Sequence, residues 1–216
     1  MDLNRKIYTG TEYVSKEIAL LAKERGFKEG TQGYYDEGQL KQRDNDFINY
    51  RDITDDLIAC PSYQQLIEWL FNCDYLTVSS RPYASIKEQE REWLEFWYNT
   101  LIPELIDIRY TKLPLNTQEF NIKNEFVLEG FTGMLLNWFE KNHLYLLIET
   151  CGSKSDYPKY TYNLINLQDY KSSLNNKLEN VELEYEELIK GNTKQQARHI
   201  GILKCFELIK NLNNGN

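Results

Sequence analysis

Hydrophobic residues recur at helical spacing in several stretches of the chain, and two of these stretches share one order. In each, an amphipathic helix leads almost directly into an apolar run typical of a buried strand. The first contains Trp69 and is followed by the run 75–79, and the second contains Trp138 and is followed by 144–150. The copies align at a constant offset of 69 residues, which suggests a diverged duplication; chance resemblance between two amphipathic helices is the alternative.

The amino-terminal stretch predicts a helix over Ser15–Arg25. The hydroxyl of Ser15 can accept a hydrogen bond from a free backbone N–H in the first turn. Gly26 can take the left-handed conformation that ends a helix, and Phe27 supplies the hydrophobic contact that often follows it. Both ends of this helix are therefore marked in the sequence.

A short hairpin and a second helix are predicted next. Residues 33–40 place Asp-Glu-Gly between two short apolar pieces, which is typical of a tight hairpin. The polar, acid-rich residues 41–58 are predicted to form a loop. Ser62 and Gln65 then have the spacing of a capping box, in which each side chain bonds the other residue's backbone N–H.

The middle of the chain predicts one long helix and one weak strand. Residues 86–102 repeat apolar side chains at helical spacing, with Ile108 widening the buried face beyond them. Pro103 is expected to break or kink this helix, because proline lacks the backbone N–H that a helix needs. Within the mixed residues 109–128, alternation around Phe120 indicates a weak strand.

The carboxy-terminal part predicts a second helix–strand copy and then a helical hairpin. A helix over 130–141 leads to a strand over 144–150, which is expected to pair with 160–167. Apolar stripes then predict a helix over 174–188 and a last helix over 193–212, capped by Asn192 or Thr193.

Together these elements predict an α+β fold. It comprises two related helix–strand units with small antiparallel sheets, amphipathic helices and a carboxy-terminal helical hairpin. We expect the chain to divide into halves at 1–110 and 111–216, or to form one compact domain.

Negative charge is concentrated in the middle of the chain. The net charge is −8; residues 51–150 hold 8 Lys and Arg against 16 Asp and Glu, and the flanks hold 17 of each sign. Wrapping a nucleic-acid backbone needs clustered Lys and Arg, so direct nucleic-acid binding is not expected. An acidic middle suits a basic partner or mimicry of nucleic acid, and solubility is the simpler explanation.

The residues that usually perform catalysis are few and separate. His143 and His199 have no Ser, Cys or acid near them in a nucleophilic arrangement, so structural roles are predicted for both. The sequence contains no metal-ligand spacing and no Gly-rich phosphate loop, and no cofactor is expected. The four cysteines form no Cys-x-x-Cys pair and are predicted to be reduced thiols: Cys60, Cys73, Cys151 and Cys205.

A set of residues in the first 80 positions forms a recognisable pattern: Tyr13-Val14-Ser15, Glu17, Ala19, Leu20-Leu21, Lys23-Glu24, Gly26-Phe27, Tyr34-Tyr35, Pro61-Ser62, Gln64-Gln65 and Trp69-Leu70. This pattern resembles a family of small uncharacterised α+β proteins of Bacteroidales phages and mobile elements. A looser match covers 130–212, and the segment 86–128 between the two is extra. The resemblance implies a phage or mobile-element origin and an α+β fold, and it implies no activity.

These observations favour a non-catalytic accessory protein that binds a host protein partner in the cytoplasm. No signal peptide and no long apolar run is present, so membrane association is not expected. Two alternatives stay open: a small-ligand-binding protein or enzyme whose site is not visible in the sequence, and an inhibitor that mimics nucleic acid. The residues expected at a partner surface are acidic: Asp52, Asp55, Asp56, Glu88, Glu92 and Glu95.

Overall fold

The computed structural model describes residues 13–42, 57–73, 86–109, 112, 118–151, 159–166 and 193–214. Within these residues, five helices and three small antiparallel sheets confirm the predicted α+β class. The chain divides into two compact units, Met1–Tyr83 and Ala84–Asn216. None of the helices in the described ranges is both long enough and apolar enough to cross a membrane.

Each unit has a simple order of elements. Unit 1 contains α1 (Lys16–Glu24), β1 (Gly33–Asp36), β2 (Gln39–Gln42), β3 (Leu57–Cys60) and α2 (Tyr63–Asn72). Unit 2 contains α3 (Ile86–Leu105), β4 (Ile106–Arg109), β5 (Glu119–Ile122), α4 (Glu125–Lys141), β6 (Leu144–Cys151), β7 (Lys159–Asn166) and α5 (Lys194–Asn214). The boundary lies before α3 and not at 110/111, because α3 packs against α4, α5 and β4 of unit 2.

Both ends of α1 form as the sequence predicts. Ser15 is the N-cap, and its side chain accepts from the backbone N–H of Ile18 at 3.3 Å. At the other end Gly26 has φ +96°, and the N–H of Phe27 donates to the carbonyl of Ala22 at 2.9 Å. These are the bonds of a Schellman ending, so the boundaries of α1 follow from local chemistry alone.

The sheet of unit 1 has the order β2-β1-β3 and is antiparallel throughout. Strands β1 and β2 form the predicted hairpin around Glu37 and Gly38, whose positive φ values of 49° and 80° are typical of a type I′ turn. The prediction of a loop over 41–58 was wrong at both ends: β2 continues to Gln42, and Leu57–Cys60 is β3. Strand β3 pairs with β1, and that non-local pairing is not visible in a short polar window.

The core of unit 1 forms where α1 and α2 place their apolar faces. Ser62 and Gln65 form the predicted capping box, with bonds of 3.1 and 3.2 Å between each side chain and the other residue's N–H. The rings of Phe27 and Trp69 meet edge-on at 5.4 Å. Trp69 is 8% exposed and is therefore a core anchor.

Gly33 allows a close approach inside this unit. A Cβ at this position would lie 2.5 Å from Cε1 of Tyr13 and 3.0 Å from the backbone oxygen of Cys60.

We predict that Gly33→Ala lowers the free energy of unfolding by about 1–3 kcal/mol, because the added methyl overpacks the site. Urea denaturation measures this change. The control Gly130→Ala has open space around the new Cβ and should instead stabilise the helix by up to about 1 kcal/mol.

The helix α3 differs from its predicted form at its carboxyl end. It continues through Pro103 to Leu105, and Ile108 belongs to β4 and not to the helix. Burial explains the difference, because Leu105 and Ile106 are almost completely enclosed, and this outweighs one missing hydrogen bond. The carbonyl of Leu105 accepts from the N–H of Lys123 at 2.9 Å, which ties the helix end to the end of β5.

The second helix–strand copy is formed by α4 and β6, and β6 pairs with β7 over their full lengths. These elements confirm the predicted helix, strand and hairpin, although α4 begins five residues earlier than expected. His143 has φ +64° and closes the helix by donating its N–H to the carbonyl of Glu140.

The predicted strand 75–79 and the predicted helix 174–188 lie outside the described residues, so the duplication stays a hypothesis.

The last helix, α5, packs against β6, β7 and α3. Thr193 caps it as predicted, in a reciprocal pair of bonds with Gln196. Gly201 lies on its buried face against the sheet; a Cβ there would meet Leu146 at 2.5 Å. The most buried residues of α5 are Gln196, Ala197, Gly201, Ile202, Cys205, Phe206 and Ile209.

Trp138 anchors the core of unit 2. It is 8% exposed, its ring lies 5.5 Å from that of Phe139 and 6.3 Å from that of Phe206, and its Nε1 donates to Oε2 of Glu90 at 3.1 Å. The indole thus fills an aromatic cluster and also binds a carboxylate on α3.

We predict that Trp138→Ala lowers the free energy of unfolding by about 3–5 kcal/mol, because it leaves a cavity and removes a hydrogen bond. Trp138→Phe retains one aromatic ring but removes the N–H donor and part of the buried indole, so its cost should be smaller, about 1–3 kcal/mol. Urea denaturation followed by circular dichroism measures both values. A loss well under 1 kcal/mol for the alanine variant would contradict the role of core anchor.

Candidate functional site

Three of the acidic residues predicted at a partner surface lie together on α3. Glu88, Glu92 and Glu95 share one face of the helix and surround the guanidinium of Arg91. Arg91 contacts Glu88 at 2.5 Å and Glu92 at 3.8 Å, and it also hydrogen-bonds to Glu95. The other three predicted residues lie outside the described part of the chain: Asp52, Asp55 and Asp56.

Arg91 is the buried member of this cluster, at 4% exposure. Burial by itself lowers the pKa of Arg91, but the hydrogen bond to Glu88 and the charges of Glu88, Glu95 and Glu92 outweigh it and raise the pKa. The guanidinium is therefore charged. It holds the surrounding carboxylates in position, because a buried cation without such partners is very unfavourable.

A second polar group lies inside unit 2, where α3 meets α5. The hydroxyl of Tyr98 is 2.8 Å from Nδ1 of His199, and the two rings stack with centroids 5.6 Å apart. Phe120 of β5 contacts the imidazole from another direction at 5.9 Å. We assign the hydroxyl as donor and Nδ1 as acceptor, which places the proton of a neutral imidazole on Nε2.

Burial decides the protonation of this group. It lowers the pKa of His199 to about 4 and raises the pKa of Tyr98 above its usual range. On the same helix as His199, burial raises the pKa of the Cys205 thiol to about 12. All three side chains are therefore neutral at pH 7. Arg198 carries the nearby positive charge and is paired with Glu129 at 2.5 Å.

Tyr98 and His199 line a cavity of about 10 Å³, together with Ile106, Leu128, Thr132, Gln195, Arg198 and Ile202. This volume is enough for about one water molecule. A general base works best when its pKa is near the working pH, and an imidazole with a pKa of about 4 does not meet that condition at pH 7. The arrangement is suited to joining α3 to α5.

Sequence reasoning predicted a structural role for His199 but did not find its partner. Tyr98 lies 101 residues earlier in the chain, and no local spacing connects the two. The one available signal is that each lies in an apolar helical stretch, where a buried polar side chain needs a polar partner.

Metal-ligating side chains are not clustered in the described ranges. No three His, Cys, Asp or Glu side chains there are grouped so that they could hold a metal ion. Comparison of the chain with protein-family models, curated proteins and solved structures gives no match.

The low pKa of His199 makes the stability of unit 2 sensitive to acid. In the unfolded chain the imidazole of His199 takes up a proton near pH 6.5, whereas in the folded chain it does so only near pH 4. The free energy of unfolding should therefore fall as the pH falls from about 6.5 to 4, by at most roughly 3 kcal/mol, and this contribution should be constant above that range. Urea denaturation at a series of pH values measures the slope.

The matched variant for this measurement is His199→Gln, whose amide does not titrate. It should be less stable than the parent at pH 7, because a packed ring is lost, but its stability should fall less steeply between pH 6.5 and 4. Equal slopes for the two proteins would show that His199 is not the group responsible.

Proposed function

We propose that the protein acts by binding a protein partner through the acidic face of α3, which we define by Glu88, Glu92 and Glu95. The partner contributes a segment rich in Lys or Arg. In keeping with the resemblance to phage and mobile-element proteins, that partner is a protein of the bacterial host.

The observation that carries this proposal is the way in which Arg91 organises its carboxylates. Three carboxylates around one guanidinium leave two negative charges on one face of the helix. Because Arg91 is buried and bonded to Glu88 and Glu95, those carboxylates have little freedom left to lose when a partner binds. A fixed acidic face also attracts a basic partner from a distance and selects against acidic ones.

Site-specific cross-linking tests this proposal and identifies the partner in the same experiment. Asn99 is exposed one helical turn beyond Glu95 on the same face, and a photoreactive amino acid placed there should capture a specific protein from a lysate of the bacterial host. The same probe at Lys210, an exposed position on α5, is the control. Equal products from the two positions, or none from either, would argue against the acidic face.

A charge variant then tests the mechanism with the captured protein in purified form. Glu92→Gln removes the carboxylate that is farthest from Arg91, so the buried cation retains its closer partners. It should weaken binding roughly threefold, and added salt should reduce the difference. Glu104→Gln is the matched control on the same helix and should leave the affinity unchanged. If duplex DNA displaces the captured protein, the acidic face acts by mimicking nucleic acid.

A further inference from the structure

The solvent side of α4 carries an unusual row of residues, which we call the outer stripe. It lies opposite the buried face of the helix, which is formed by Leu128, Phe131, Thr132, Leu135, Trp138 and Phe139. The successive spacings along the outer stripe are 3, 4, 3, 4 and 3 residues, so it follows one side of the helix from just before its start to its last turn. Its members are Lys123, Phe126, Gly130, Gly133, Asn137 and Glu140.

Phe126 is the most exposed large hydrophobic residue in the described part of the chain. It is 88% exposed, and the next such residue, Leu147, is 43% exposed. A single exposed hydrophobic residue is common on protein surfaces. This ring, however, lies at one end of a row whose remaining members are also unusual for a solvent-facing helix.

Two glycines occupy the middle of the outer stripe. A Cβ at Gly130 or at Gly133 would have no atom within 4 Å, so the packing of the described chain does not require glycine at either position. Glycine weakens a helix interior compared with alanine. What it does provide is a surface without side chains, where the backbone of another helix can approach closely.

The charges at the ends of the outer stripe are opposite in sign and complementary. Lys123 precedes α4 and Glu140 lies in its last turn, so each charge lies at the end that the helix dipole disfavours. The two residues are about 25 Å apart along the helix and cannot contact each other within one chain. In an antiparallel pair of such helices, each would face the other across the interface.

We propose that the outer stripe binds the outer stripe of a second copy of this chain, antiparallel, around a two-fold axis between Gly130 and Gly133. Each residue of the outer stripe then faces the residue of the second copy that lies at the same distance on the other side of the axis. Phe126 packs over Asn137 of the second copy, and Lys123 meets Glu140 of the second copy. Two-fold symmetry makes every contact twice. This association uses none of the residues of the acidic face, so its test is independent of the proposed function.

Reversing the charges at Lys123 and Glu140 tests the arrangement directly. Self-association of the full chain is measured by sedimentation equilibrium. Lys123→Glu and Glu140→Lys should each weaken self-association about tenfold, because each creates two like-charge contacts per dimer. The double variant should restore association to near the parent value. A parent protein that stays monomeric up to millimolar concentration, or a double variant no better than the single ones, would overturn the proposal.

Variants at the centre of the outer stripe separate association from folding. Gly130→Ala combined with Gly133→Ala should weaken self-association, because two methyl groups separate the helices, and should make a dilute sample more resistant to urea. Phe126→Ala should weaken self-association without changing the urea midpoint of a dilute sample. Leu147→Ala, at the exposed hydrophobic residue of β6, is the control and should leave association unchanged. Glycine variants that leave association unchanged would contradict the close helix pairing.

Discussion

The enclosure of α3 is the constraint on which the rest of unit 2 depends. Its buried residues cover most of its circumference, and Leu94, Trp97 and Leu101 are fully enclosed. A helix buried on so many sides must be surrounded by other elements, and it packs against α4, α5 and β4. The polar features of the unit follow from the same burial: Tyr98 needs a partner and has His199, and Arg91 needs carboxylates and has three.

Local chemistry could be predicted from the sequence wherever the residues that form a feature are neighbours. The ends of α1, the tight turn at Glu37 and Gly38, and the capping box at Ser62 each depend on a few successive side chains, and all were predicted. Features that depend on distant partners were not. Strand β3 forms because β1 is available to pair with it, and α3 passes Pro103 because the residues beyond it are buried.

The candidate site shows the same division. Glu88, Glu92 and Glu95 were predicted at a partner surface on a helix, and helical spacing is compatible with one shared face, since residues three and four apart are neighbours on a helix. The role of Arg91 was missed, because its burial depends on packing that a one-dimensional pattern does not contain. The pairing of Tyr98 with His199 spans 101 residues. It joins two helices, and nothing in the sequence of either helix indicates that the two are in contact.

The short strand β2 has a consequence for how the protein behaves in concentrated solution. It is one of the two edge strands of the described sheet, all four of its residues are exposed, and Lys41 on it is ion-paired with Asp36 of the neighbouring strand. An exposed edge offers backbone hydrogen-bonding groups to any passing strand, and a short edge that carries a charged lysine is a common natural protection against sheet-to-sheet aggregation. Among the described residues, the hairpin has four paired residues on each side. Within the described residues, the β2 edge is therefore a poor template for further strands, because it is short and carries a charged lysine.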